Sequence, residues 1–320
     1  MFFTHEDLHR IRVAGRPDPL WEVILSIGLL ASTESRVALA PWRAQARTAL
    51  RDLPREQLLM LRHLVPPVGD FPDFLTPAQA SAGMEAGIEA MLNTPRHRLR
   101  REVAVLPTVP SWLSPLADGR VETLTLLASA LRGYHATVVA PHLPVMQGVV
   151  DFERAMHARS LLDSGPEGLL SGLGPTMRWR RPVLEVDYPV KHEIHLDGRG
   201  ILLLPSAFCW RVPVSLIDPD LPPVLVYPAT RNLEWWFKDD THRFQTLANL
   251  LGTTRAACLR VIEGGCTTSE MARRISGTPS SASQHATTLR EAGLINSNRQ
   301  GNTVIHTLTP LGADLLKVNS

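Results

Sequence analysis

The chain has 320 residues, 44% of them hydrophobic and 20% charged, which suits two or three domains with sizeable cores, and its 26 prolines are dispersed, which suggests frequent breaks between short elements more than a disordered tail. Its net charge of +2 decides nothing about partners, while three cysteines, Cys209, Cys258 and Cys266, are too few for a disulfide scaffold and lack close zinc-ligand spacing. No run approaches the roughly 20 apolar residues of a membrane span, and Glu6 and Asp7 stand where a secretory signal needs basic residues, so a cytoplasmic protein without a membrane partner is expected.

Residues 8–13 alternate apolar and polar and predict an edge strand. After Pro17-Asp18-Pro19, the spacing of Leu20, Val23, Ile24, Ile27 and Leu30 fits one face of a helix. The same period predicts helices over 42–50, 55–64, 77–92, 121–139 and 146–162. Thr76-Pro77 offers a capping hydroxyl beside a proline at the first helical position, and Pro54-Arg55-Glu56 opens the preceding helix with a fixed φ and an early acid. Residues 1–176 therefore read as a mainly helical regulatory or dimerisation region.

From residue 177 the period shortens. Runs 183–188, 190–196, 201–204 and 224–227 are rich in β-branched and large apolar side chains and predict strands. Asp197-Gly198-Arg199-Gly200 suits a hairpin, because Asp and Gly accept positive φ, so 177–230 is expected to be a small antiparallel sheet. His192 and His195, near Glu193 and Asp197, attract attention as ligands, but residues three apart on a strand face opposite ways. Gly172-Leu173-Gly174 lacks the third glycine and the strand-to-helix context of a dinucleotide fingerprint, and Ser206 has neither elbow glycines nor an identifiable base. No enzyme and no cofactor is expected. Residues 231–245 read as a helical connector whose adjacent Trp235, Trp236 and Phe237 cannot share one helix face, which leaves them to core packing or a dimer patch.

The last quarter is the most informative. Residues 241–320 hold eight Arg/Lys against four acids, leaving 25 against 27 in the first 240, so positive charge gathers at the carboxyl end. Helical segments 246–251 and 255–262 lead to Thr267, an N-cap candidate whose Glu270 three residues on completes a capping box. Met271 and Ile275 should face inward, leaving Arg273 and Arg274 nearer solvent and phosphates. Ser276-Gly277-Thr278 is a turn, and Thr278-Pro279 supplies the cap and first-turn proline of a second helix. Ala282, Ala286 and Leu289 form its inner stripe; Ser280, Ser281, Gln284, Thr287 and Thr288 form the opposite face, with Ser283 and His285 at its margins. Gly293 ends the helix. Residues 294–297 and 304–308 pair as a wing with Arg299 at its tip, and Leu311, Leu315 and Leu316 belong to a closing helix.

Two helices joined by a tight turn and followed by an antiparallel ribbon make the geometry that places one helix in a DNA major groove. Gln284 suits a bidentate contact to adenine, threonine methyls can touch thymine methyls, and Arg299 suits a phosphate or the minor groove.

Residues 246–317 resemble the winged helix-turn-helix domain of ArsR-type bacterial transcriptional regulators through Arg255-Ala-Ala-Cys-Leu, Thr268-Ser-Glu-Met-Ala, Ser283-Gln-His-Ala-Thr-Thr-Leu-Arg-Glu-Ala-Gly-Leu and Arg299-Gln-Gly-Asn-Thr-Val. The whole-chain layout is similar to the large actinobacterial regulators of this kind, which carry an uncharacterised amino-terminal portion. The resemblance implies a homodimeric repressor on double-stranded operator DNA. It does not imply metal sensing, because Thr267 and Ser269 replace the cysteine pair of the metal site, with Cys266 beside them. Cys258 and Cys266 then read as small buried hydrophobes, with redox sensing as the alternative. An unidentified small-molecule effector enclosed by the amino-terminal helices is a further expectation.

The fold class expected is α+β: a helical amino-terminal region, a small antiparallel sheet in the middle, and a winged helix-turn-helix domain over 246–320. Two other functions stay open, a winged helix used for protein contact or as a structural element and an enzyme in the amino-terminal region.

Overall fold

The computed structural model describes residues 1–32, 39–67, 69–188, 192–210, 212–229, 240–262, 265–300 and 303–318. The fold is mixed α and β with small sheets, and the chain divides into two compact units, Met1–Leu233 and Glu234–Ser320.

In the first unit α1 (His5–His9) and β1 (Ile11–Val13) precede α2 (Pro19–Ala31), α3 (Ala40–Ala49), α4 (Arg55–Leu64), α5 (Met84–Leu92), α6 (Arg96–Val103), α7 (Ser114–Ala117), α8 (Val121–Tyr134) and α9 (Leu143–Ser171). Five strands follow: β2 (Met177–Arg180), β3 (Val183–Val186), β4 (Ile201–Ser206), β5 (Val214–Ser215) and β6 (Val224–Pro228). Leu20, Val23, Ile24 and Ile27 of α2 are all buried. The helix starts there because the Asp18 carboxylate accepts the N–H groups of Leu20 and Trp21, both at 3.1 Å.

Several elements differ from the sequence expectation. Of the strand expected over 8–13, Ile11–Val13 is strand β1 but Leu8 and His9 belong to helix α1, because Thr4 and Asp7 each bond the other's backbone N–H in a capping box. The helix expected over 77–92 is broken at Gly83, whose φ of 135° is not helical, into a 3₁₀ turn (Ala78–Ala82) and α5. Thr76 caps nothing; its hydroxyl donates to the Asp73 carbonyl at 3.3 Å. The helix expected over 121–139 runs from α8 into a π-helical turn at His135–Val139, and the one over 146–162 is part of the longer α9, which bends at Gly165. Helix α6 was not expected: it is largely arginine, and only Leu99 and Val103 give it a buried apolar edge.

The middle sheet is mainly parallel, not antiparallel. Its order is β1-β4-β6-β5; β1 runs parallel to β4 (Ile11 opposite Ile201), β4 parallel to β6 (Leu203 opposite Leu225), and only β5 is antiparallel to β6. β2 and β3 form a separate two-stranded hairpin. The turn at Asp197-Gly198 explains the difference. Asp7 accepts the Gly200 N–H at 2.8 Å and Arg10 donates to the Gly198 carbonyl at 2.7 Å, so the turn delivers β4 alongside β1 and not back along the preceding segment. Of that segment, residues 189–191 lie outside the described residues, and 192–196 contribute only a bridge from His195 to Phe2, whose rings stack at 4.5 Å. Phe3, Leu170, Leu184, Leu196, Leu203 and Leu225 fill the core on one face of the sheet. Trp235, Trp236 and Phe237 also lie outside the described residues.

The second unit comprises α10 (Asp240–Leu251), α11 (Thr253–Val261), β7 (Cys266–Thr267), α12 (Thr268–Arg274), α13 (Pro279–Glu291), β8 (Ile295–Gln300), β9 (Thr303–Leu308) and α14 (Pro310–Val318). The strands form an antiparallel sheet of order β7-β9-β8. Leu247, Leu259, Ile262, Met271, Leu289 and Leu316 close one core. Helix α14 docks with its backbone against the chain before β8: a Cβ added at Gly312 would lie 2.0 Å from the Leu294 carbonyl oxygen.

Candidate nucleic-acid interface

The site is built on α12, α13 and the β8–β9 hairpin. Thr267 is extended, and its hydroxyl accepts the Glu270 N–H at 3.2 Å, which starts α12. The other half of the expected capping box is not made. The Glu270 carboxylate is paired with Arg274 one turn on and lies 4.0 Å from Arg273, since a guanidinium at i+4 on the same helix face is within its reach. Arg273 and Arg274 are exposed as expected, yet they share a negative partner.

Ser276, with φ 55°, makes the turn, and the Gly277 N–H reaches back to the Ala272 carbonyl at 2.8 Å. Thr278 is again extended and caps α13 by accepting the Ser281 N–H at 3.2 Å, with Pro279 in the first turn. Along α13, Ala282, Ala286 and Leu289 are buried. Ser280, Ser283, Gln284 and Thr288 are exposed, and Ser281 and Thr287 are half-buried. At about 100° per residue the exposed set lies opposite the buried stripe. The Thr288 hydroxyl donates to the Gln284 carbonyl at 3.2 Å, so it offers an outside partner an acceptor oxygen and a methyl. The helix ends at Gly293 (φ 72°), where the Leu294 N–H returns to the Leu289 carbonyl at 2.9 Å.

The hairpin is longer than expected. β8 and β9 pair continuously from Ile295 opposite Leu308 to Gln300 opposite Thr303. Arg299 is exposed and sits in this ladder opposite Val304, not at the tip; residues 301 and 302 lie outside the described residues.

Sequence reasoning passed over His306, which is 4% exposed. On the central strand β9 it pairs in register with Cys266 of β7 and Ser297 of β8. Its Nδ1 is 2.9 Å from the Ser297 hydroxyl and its Nε2 2.9 Å from the Thr268 hydroxyl, at the first residue of α12. Burial, and secondarily the Arg290 charge, hold its protonated form below the usual histidine range. The signal was present in the alternation of β9, which puts His306 in phase with Val304 and Leu308.

Cys258 and Cys266 are both buried; burial pushes the Cys258 thiol up to about 11 and the Cys266 thiol upward as well, which leaves neither a ready nucleophile.

Titratable groups of the first unit border two cavities. Asp73, Glu102 and Arg101 line one of about 220 Å³. Burial pushes Asp73 up to about 6, yet its carboxylate accepts the N–H groups of Ile217 and Asp218, and Glu102 accepts from Phe74 and Arg98. His192 and His195 line a second cleft of about 390 Å³ with Asp197 and Arg199. They border one space because their segment is not a strand, contrary to expectation, but among the described residues no group of three or more His, Cys, Asp or Glu is placed to hold a metal ion. Both cavities have charged side chains among their lining residues. Ser206 is buried, donating to Glu22 at 3.0 Å and accepting the Cys209 N–H at 3.1 Å, which is a structural tie.

Comparison of the chain with protein families, with curated proteins and with solved structures gives no match.

Proposed function

We propose that the second unit is the winged helix-turn-helix head of a cytoplasmic, homodimeric transcriptional regulator that binds double-stranded operator DNA and represses, as the ArsR-type resemblance implies, without sensing a metal. The observation that carries this reading is α13. Its inner stripe is buried, while its outer face presents Ser280, Ser283, Gln284, Thr287 and Thr288 with no carboxylate before Glu291. Short hydroxyl side chains let a helix approach base edges closely, and an amide at the centre of the face can make two bonds to adenine. The capped amino end of α13 and the exposed Arg299 on the hairpin provide phosphate contacts on either side.

Phosphate attraction localises the protein and base-edge contacts discriminate sites. Arg273 and Arg274 contribute less to the first step than their exposure suggests, because Glu270 already offsets their charge. In a dimer, two α13 helices entering successive major grooves set half-sites about 34–36 Å apart.

Binding to a sequence selected from random DNA tests the assignment. Gln284→Ala should weaken the selected site by about tenfold and random DNA by less than twofold. Arg299→Ala should weaken both and lower the salt slope by about one. Equal losses for Gln284→Ala on both DNAs would remove its base-reading role. The absence of any salt-sensitive complex would favour a winged helix used for protein contact.

A further inference from the structure

His306 is the one buried polar or charged side chain of the second unit among the described residues. From β9 its ring reaches the Ser297 hydroxyl on β8 and the Thr268 hydroxyl at the start of α12, each at 2.9 Å. It is therefore a tie between the hairpin and the helix that precedes α13. A neutral imidazole has one donor and one acceptor nitrogen, and hydroxyls serve either role, so the neutral ring satisfies both contacts. A protonated ring adds a charge to an apolar core that includes Met271, Ile295 and Leu289.

The titratable and charged groups on the surrounding elements do not offset that charge. They are Cys266 on β7, Glu270, Arg273 and Arg274 on α12, His285, Arg290 and Glu291 on α13, Arg299 on β8 and Asp314 on α14. Glu270 is engaged with Arg274, the Cys266 thiol is held neutral by burial, and Arg290 repels the imidazolium.

We propose that the His306 ring is a pH-operated fastener: when neutral it holds the β8–β9 hairpin to the start of α12, and on protonation the hairpin loosens and DNA affinity falls. The statement about the hairpin stands by itself; the statement about affinity rests on the DNA-binding reading above.

Amide hydrogen exchange of the full-length protein tests the first part without DNA. Between pH 7.5 and 5.5, after correction for intrinsic exchange, protection of peptides within 295–308 should fall about three- to tenfold in the native protein, tenfold being the ceiling for one ordinary histidine that titrates only in the opened state. In His306→Gln it should fall less than twofold, because glutamine can bond hydroxyls and does not titrate. An equal fall in both proteins, or none in the native one, overturns the fastener. If His306→Gln does not fold, the imidazole resonances of His306 in the native protein decide: titration below the ordinary histidine range, together with loss of hairpin protection, supports the proposal, and titration at or above that range overturns it. DNA binding at fixed salt tests the second part. Native affinity should drop more steeply on acidification than that of His306→Gln. Equal drops overturn the regulatory part alone. No DNA binding at pH 7.5 overturns the DNA reading and its regulation together, while the exchange result still decides the fastener.

Discussion

The two units bury different polar groups to hold their folds. The first sinks carboxylates into its core as acceptors for distant backbone: Glu22 of α2 receives the N–H groups of Ala207 and Phe208 at 3.0 and 3.1 Å, and Asp73 receives those of Ile217 and Asp218. The second unit buries a single imidazole as its polar side chain among the described residues, and its helices α12 and α13 begin at the hydroxyl caps of Thr267 and Thr278. Both units use local caps and distant ties, but in the first the distant ties run through buried carboxylates, whereas in the second α12 and α13 are set by local signals. Their responses to acid should differ in sign as well.

The largest effect that tests this contrast is expected from Glu22→Ala. It leaves two buried N–H groups and the Ser206 hydroxyl without their acceptor, at a cost of about 3–5 kcal/mol. Denaturant-dependent hydrogen exchange should place the loss in Met1–Leu233 and leave α11 to α14 as protected as before. An equal loss in both units would mean that they unfold together, and the contrast would fail.

Next in size is the pH response. Burial raises Glu22 to about 7 and Asp18 and Asp73 to about 6, so in the folded first unit these groups keep their protons to higher pH than in the unfolded chain. The stability they contribute is full below the ordinary carboxylate range and is lost as pH rises through 6 to 7, on the order of 3 kcal/mol for Glu22 alone. His306 is shifted downward, so its contribution is full above the ordinary histidine range and is lost as pH falls. Region-resolved exchange between pH 7.5 and 5.5 should show the first unit gaining protection while the second loses it. Parallel changes in the two units would show that other groups govern the response.

What the sequence makes legible follows the same division. The Thr267 and Thr278 caps, the Gly293 terminator and the Ala282, Ala286, Leu289 stripe depend on residues within a few positions of each other, so they can be read along the chain. The pairing of Ile11 with Ile201 cannot, because alternation marks a strand and says nothing of its partner. Nor does an isolated Glu22 announce that it will be buried against residues 184 to 186 positions away. The same limit applies within the candidate site. The exposed face of α13 was legible from its period, whereas the choice of Arg274 over the backbone by Glu270, and the double contact of His306, depend on groups brought near by folding.

The smallest effect tests how local the second unit is. The turn between α12 and α13 contains a glycine, Gly277, but the positive φ belongs to Ser276 at 55°. A left-handed conformation costs an L-residue about 1 kcal/mol, which glycine avoids at some expense in unfolded-chain entropy. Ser276→Gly should therefore stabilise the second unit by about 0.5 kcal/mol. Gly277→Ala should change stability by less than about 0.5 kcal/mol, since its Cβ would meet Ile275 at 3.4 Å without a left-handed backbone to oppose it. Chemical denaturation followed by exchange in α12 and α13 measures both. If Gly277→Ala is the damaging change and Ser276→Gly is not stabilising, the turn lies one residue later, and Thr278 cannot then be the cap that fixes where the exposed face of α13 begins.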